Sequence, residues 1–78
     1  MKLTYNPAAN VAYISLRERQ GDVETIEVTA EVLVDIDETG QVCGIELLNA
    51  QEQLAAGDGG RFVLVNRESG AETVLKVV

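Results

Sequence analysis

The sequence has no histidine, one cysteine, three aromatic residues and only six basic residues in 78, and each shortage closes off a class of chemistry or architecture. Cys43 has no second cysteine to pair with, so no intramolecular disulfide can brace the fold. Without histidine, Cys43 also lacks the usual base for nucleophilic work. A lone cysteine in an apolar strand reads instead as a small buried hydrophobe. Aromatics make up 4% of a chain that is 46% hydrophobic, so the core must come from Val, Leu, Ile and Ala. The Lys and Arg residues are scattered, and phosphate-backbone binding needs them clustered, which argues against a nucleic-acid partner. No apolar run approaches the ~20 residues that span a bilayer. The start Met1-Lys2-Leu3-Thr4-Tyr5 runs directly into Asn6 and Pro7, without the apolar centre of a secretory signal. The expected setting is cytoplasmic, with no membrane partner.

What is abundant is acid. Thirteen Asp and Glu give a formal charge of −7, and nine of them lie between Glu18 and Glu46. A basic protein or a cation suits that charge better than nucleic acid does. The simpler account, preferred here, is that the acids keep a small apolar domain soluble and guard strand edges. Size adds a second constraint. A chain of this length buries only about 60% of the surface its unfolded form exposes, and few large side chains anchor the core. Self-association to a dimer or larger homo-oligomer is the expected remedy.

Along the chain, residues 2–6 and 11–16 alternate around Asn6-Pro7-Ala8-Ala9-Asn10, a strong turn. Placing Tyr5 opposite Val11 puts Leu3 against Tyr13, with these four on one side and Thr4, Ala12, Ile14 and Leu16 on the other. Residues 17–22 form a charged loop. Val23 to Val28 reads as a third strand with a slip near Thr25 that suits a bulge. Val32 to Asp37 and Gln41 to Leu48 form the next hairpin. Asn49 as N-cap, Glu52 three residues later and Gly57 as a stop frame a short helix that covers one end of the sheet with Ala50 and Leu54. After Asp58-Gly59-Gly60, a last hairpin runs from Phe62 to Val78 around residues 67–71, and its apolar end must be buried or paired. The fold class is α+β, mainly β: an antiparallel β-meander of hairpins with one short helix near residues 50–56 and a C-terminal hairpin. It forms a single domain over 1–78, with a core over 1–56 and an extension over 61–78.

The sharpest chemical motif is Asp35-Ile36-Asp37-Glu38-Thr39-Gly40 followed by Val42 and Glu46, which falls in order on the ligand and glycine positions of a calcium loop. Such a loop needs flanking helices, and here the flanks are β-branched runs. If Glu38-Thr39-Gly40 is a three-residue hairpin turn, Asp37 pairs near Gln41 and Asp35 near Cys43. Glu46 then stands roughly 10 Å from Asp35 at ~3.4 Å per residue, too far for one ion. The hairpin is therefore preferred, and Asp35, Asp37, Thr39 and Glu46 stay as candidates for weak divalent binding only.

The stretches Met1-Lys2-Leu3-Thr4-Tyr5-Asn6-Pro7 to Tyr13-Ile14-Ser15-Leu16, and Asp35-Ile36-Asp37-Glu38-Thr39-Gly40 to Gly44-Ile45-Glu46, resemble the domain-of-unknown-function 2283 family of small bacterial proteins. The likeness runs from Met1 to about Leu54, with Asn6 where the family has aspartate. It implies a compact β-sheet with a helix, an oligomer and no assigned activity, and it transfers no catalytic residue; no cofactor is expected from the residues. The hairpin over 61–78 lies outside it.

Three functions follow from the residues. The first is a non-catalytic oligomeric interaction module whose acidic surface meets a basic protein, one version being an antitoxin-like neutraliser. The second is a small ligand-binding protein or enzyme using Tyr5, Tyr13, Asp35 and Asp37. The third is divalent-ion binding at the Asp35 to Glu46 turn. The balance favours the first and leans away from an enzyme, because two aspartates beside a turn tend to be solvated and alike, and the tyrosines suit packing.

Overall fold

In the computed structural model, which describes residues 1–57 and 59–77, seven strands and one helix follow one another along the chain. They are β1 (Lys2–Asn6), β2 (Val11–Ser15), β3 (Glu24–Thr29), β4 (Val32–Ile36), β5 (Val42–Leu48), α1 (Ala50–Ala55), β6 (Arg61–Val65) and β7 (Glu72–Lys76). The first five strands form one antiparallel sheet in the order β1-β2-β5-β4-β3, and β6 and β7 form a separate two-stranded sheet. This is the meander of hairpins with one short helix and a C-terminal hairpin. The loop after β2 carries the chain to the far edge, so β5 becomes the centre of the sheet and pairs with both β2 and β4.

Turn chemistry sets the hairpins. Asn6 Oδ1 accepts the Ala9 N–H, and Asn10 takes a left-handed conformation at φ 56° to reverse the chain into β2. Between β4 and β5, the Gly40 N–H donates to the Asp37 carbonyl at 2.9 Å, and Gly40 supplies the positive φ of 81°. Two bulges interrupt the pairing, between Glu27 and Thr29 on β3 and opposite Asp35–Ile36 on β5. The bulge expected near Thr25 therefore falls at Val28, past the middle of the strand.

The register of β1 with β2 differs by one residue from the sequence expectation. Tyr5 pairs with Ala12, Leu3 with Ile14 and Thr4 with Tyr13. The turn is four residues long, Pro7 to Asn10, with Asn6 still in β1 opposite Val11, which shifts every pair and separates the two tyrosines onto opposite faces. One face of the sheet thus carries Leu3, Ile14, Ile45, Val34 and Ile26 in one row and Tyr5, Ala12, Leu47 and Val32 in the next. The other carries the polar row Lys2, Ser15, Gly44, Asp35 and Thr25.

The helix also departs from expectation in its capping. Asn49 sits at φ 49° and its side chain does not cap α1. Asn10, far away in sequence, caps it instead: its Oδ1 accepts the Gln51 N–H at 2.7 Å, its carbonyl accepts the Ala50 N–H, and its Nδ2 donates to Glu52 Oε2. The turn between β1 and β2 thereby fixes α1 at one end of the sheet, with Ala50 buried and Leu54 half-buried.

Candidate functional site

On the polar face, Tyr13, Arg19, Thr25 and Asp35 meet above Gly44. Thr25 stands directly opposite Asp35 in the β3–β4 pairing, so its Oγ1 donates to Asp35 Oδ1 at 2.7 Å. Tyr13 lies on β2, two strands from Asp35, and its hydroxyl crosses β5 to donate to Asp35 Oδ2 at 2.7 Å. The crossing is open only because residue 44 is glycine: a Cβ there would collide with the Tyr13 ring and hydroxyl. Arg19, from the loop after β2, closes the cluster. Its Nη2 lies 3.4 Å from Asp35 Oδ2 and 3.3 Å from the Tyr13 hydroxyl, and its guanidinium stands 5.9 Å from the Tyr13 ring centroid.

The electrostatics follow from this geometry. Burial raises the Asp35 pKa, but the hydrogen bonds from Thr25 and Tyr13 and the nearby Arg19 charge outweigh it and hold the carboxyl below its ordinary value. Burial pushes the Tyr13 phenol up, and its bond to Asp35 pushes it further, against the opposing influence of Arg19. The pair is therefore a carboxylate and a neutral phenol across the physiological range.

Asp37 is held separately. Its Oδ1 accepts from the Thr39 hydroxyl at 2.6 Å, the Thr39 N–H at 2.9 Å and the Gln41 N–H at 3.4 Å, and its Oδ2 accepts the Gln20 N–H at 3.1 Å. The Thr39 hydroxyl leads the lowering of its pKa, burial opposes it, and the backbone donors from Gln20, Thr39 and Gln41 add to it. Asp37 is an organiser of two loops, the β4–β5 turn and the segment before β3.

The residues singled out from the sequence are thus distributed among several places. Asp35 and Tyr13 come together. Asp37 with Thr39 forms its own turn, and Glu46 lies opposite Tyr13 and Leu33 within the sheet. Tyr5 lies on the apolar face, so the quartet Tyr5, Tyr13, Asp35 and Asp37 does not share a site. Asp35 pairs with Gly44 rather than Cys43, because Cys43 is the extra residue of the β5 bulge. The Cys43 thiol is 1% exposed, 3.5 Å from the Asp35 carbonyl. Among the described residues, no three acidic or cysteine side chains converge as a metal cage would require.

Arg19, Thr25 and Asn10 were not singled out from the sequence. Thr25 had a signal: centring a tight turn on Ala30 makes Thr25 and Asp35 cross-strand partners. Arg19 had none, since its place depends on the path of an irregular loop.

Together these features define a small α+β protein: an antiparallel sheet with one apolar face, one face locked by an internally satisfied polar cluster, and an appended hairpin. The chain belongs to the family described as protein of unknown function (DUF2283), whose model matches residues 2–51. The match ends at the start of α1 and leaves β6 and β7 outside it. No curated protein and no solved structure matches the chain. Among the described residues, no helix is long and apolar enough to cross a membrane.

Proposed function

We propose that this protein is a self-associating, non-catalytic interaction module that turns an acidic surface toward a basic protein. The observation that carries the reading is surplus surface. A compact monomer of 8.4 kDa is expected to expose about 4,600 Å², whereas this chain exposes 5577 Å². Its radius of gyration, 14.0 Å, likewise exceeds the ~11.5 Å of a compact chain of this length. Among the described residues, the fully buried apolar ones are small, Ala12, Cys43 and Ala50. A core of that size is a weak counterweight to the chain entropy lost on folding. Burial between copies supplies what is missing.

The polar cluster supports a structural rather than catalytic role. Both Asp35 oxygens are engaged by side chains of the same molecule, and a carboxylate with a lowered pKa is a poor proton acceptor near neutrality. The Asp37 oxygens are likewise engaged, by backbone donors and Thr39, which weighs against cation binding at the turn. The exposed acids Asp22, Glu24, Glu27 and Glu38 gather on and beside the edge strand β3, and they supply the charge that a basic partner would meet.

Light scattering behind size exclusion tests the reading. The expected mass is at least twice 8.4 kDa, unchanged by added calcium. A single-chain mass at all concentrations overturns it, and a calcium-dependent shift would return the Asp35 to Glu46 turn to consideration.

A further inference from the structure

Resting on that reading, we infer that the C-terminal hairpin β6–β7 is the arm through which the chain binds a second copy of itself. Among the described residues the hairpin is a two-stranded sheet joined to no strand of the larger one, and a lone hairpin in water is marginal at best. Among the described residues, five of the eight large apolar side chains that stand most exposed belong to it: Phe62, Leu64, Val65, Val74 and Leu75. The pairing of Phe62 with Leu75 and Val63 with Val74 places them on both faces. Phe62, Leu64 and Leu75 share one face, and Val65 and Val74 share the other with Val63. Its own chain meets the first face in an apolar cleft, where Phe62 and Leu75 approach Met1, Leu3 and Ile14. Leu64 remains 63% exposed and Val74 53%. Its own chain therefore covers the first face only in part, and on the second Val65 and Val74 stand exposed among Arg61, Glu72 and Lys76, so further cover for the apolar side chains would come from another molecule.

Charge and area point to a second copy as that cover. Residues 61–78 carry Arg61, Arg67 and Lys76 against Glu68 and Glu72, a net +1, which leaves −8 on residues 1–60. Two acidic bodies repel, and the hairpin is the segment through which two copies can approach without that cost. The surface beyond a compact monomer's, about 1,000 Å², is close to the ~800 Å² each partner contributes to a standard interface. A patch of this kind, apolar at its centre and near neutral overall, is self-complementary, as a two-fold contact requires. The hairpin also lies outside the stretch matched by the family model, so the contact belongs to what this chain adds to the family core.

The test uses the full chain and three proteins. Wild type is expected to be a dimer, L64K/V74K to dissociate with affinity reduced by at least about tenfold, and I26K, placed on the β3 edge, to stay dimeric. Hydrogen exchange on wild type adds a readout that needs no variant: protection of the β6 and β7 amides should rise with protein concentration through the dimerisation range. A wild-type monomer overturns the underlying reading. A wild-type dimer whose affinity survives L64K/V74K, or whose β6–β7 exchange ignores concentration, overturns the hairpin assignment alone. If L64K/V74K loses its far-UV circular dichroism, the exchange measurement decides.

Discussion

Asp35 and Asp37 are two positions apart in the chain, yet their surroundings have little in common. Asp35 is bound by side chains brought from β2, β3 and the loop between them, whereas Asp37 is bound mostly by backbone N–H groups of two loops. Both have lowered pKa values, so the folded state holds these protons more weakly than the unfolded state. Stability from both groups is therefore complete above the unfolded value of about 3.9 and is lost as pH falls through the lower folded values. Melting temperatures taken from pH 7 down to pH 2 should fall steeply below about pH 4, and Asp35→Asn should flatten that slope while lowering stability at neutral pH. Equal slopes in the two proteins would show that Asp35 carries none of the acid sensitivity. Tyr13 gives the opposite sign: its raised pKa means stability is lost as pH climbs above about 10. In a Tyr5→Phe background, the ultraviolet phenolate transition should have its midpoint above about 10 and shift downward when Asp35 is replaced by Asn.

Gly44 offers a separate check on the cluster. Gly44→Ala should cost about 1–3 kcal/mol through overpacking, because the added methyl meets the Tyr13 ring. In a double-mutant cycle, Tyr13→Ala should cost less in the Gly44→Ala background than in wild type. Additive costs would mean that the ring does not lie over residue 44.

Among the elements, α1 shows most plainly why local sequence signals can mislead. Asn49 and Glu52 have the spacing of a capping box, but Asn49 is drawn into a left-handed turn by the tight passage out of β5, and its Nδ2 donates to Glu31. The vacant role falls to Asn10, which the β1–β2 turn delivers to the same point. Asn10→Ala should therefore cost about 1 kcal/mol, more than Asn49→Ala, measured by denaturant unfolding of each variant. A larger cost at Asn49 would restore the local cap. The strands were easier to read. Alternation and turn residues located all of them to within a residue or two, since Pro7, Gly40 and Gly70 mark their turns. The β1–β2 register and the β5 bulge were not legible, because a one-residue slip changes no local preference and only the pairing of whole strands decides it.

For the whole molecule, composition carried far. The small aliphatic side chains, the single cysteine and the short length together implied a core that is thin for one chain, and the structure has large apolar side chains exposed on β3 and on the C-terminal hairpin. The apolar end of the chain, expected to be buried or paired, is paired through its backbone in β7, but Val74 and Leu75 remain more than half exposed; Val78 lies outside the described residues. Salt dependence follows from the charge split. Raising ionic strength should strengthen the proposed self-association, by screening repulsion between the acidic bodies, and sedimentation at low and high salt reads this directly. Association that weakens with salt would instead place the acidic body in the contact.

The sequence by itself determined the fold class, the order of the elements, the turns and the acidic character, because these rest on periodicity, turn residues and charge that act over a few positions. Tertiary structure decided which side chains meet. Tyr13 finds Asp35 across a glycine on an intervening strand, Arg19 arrives on a loop of no regular form, and Asn10 caps a helix forty residues away in the chain. Each of these contacts depends on strand order and register, which are properties of the assembled sheet and of no single segment.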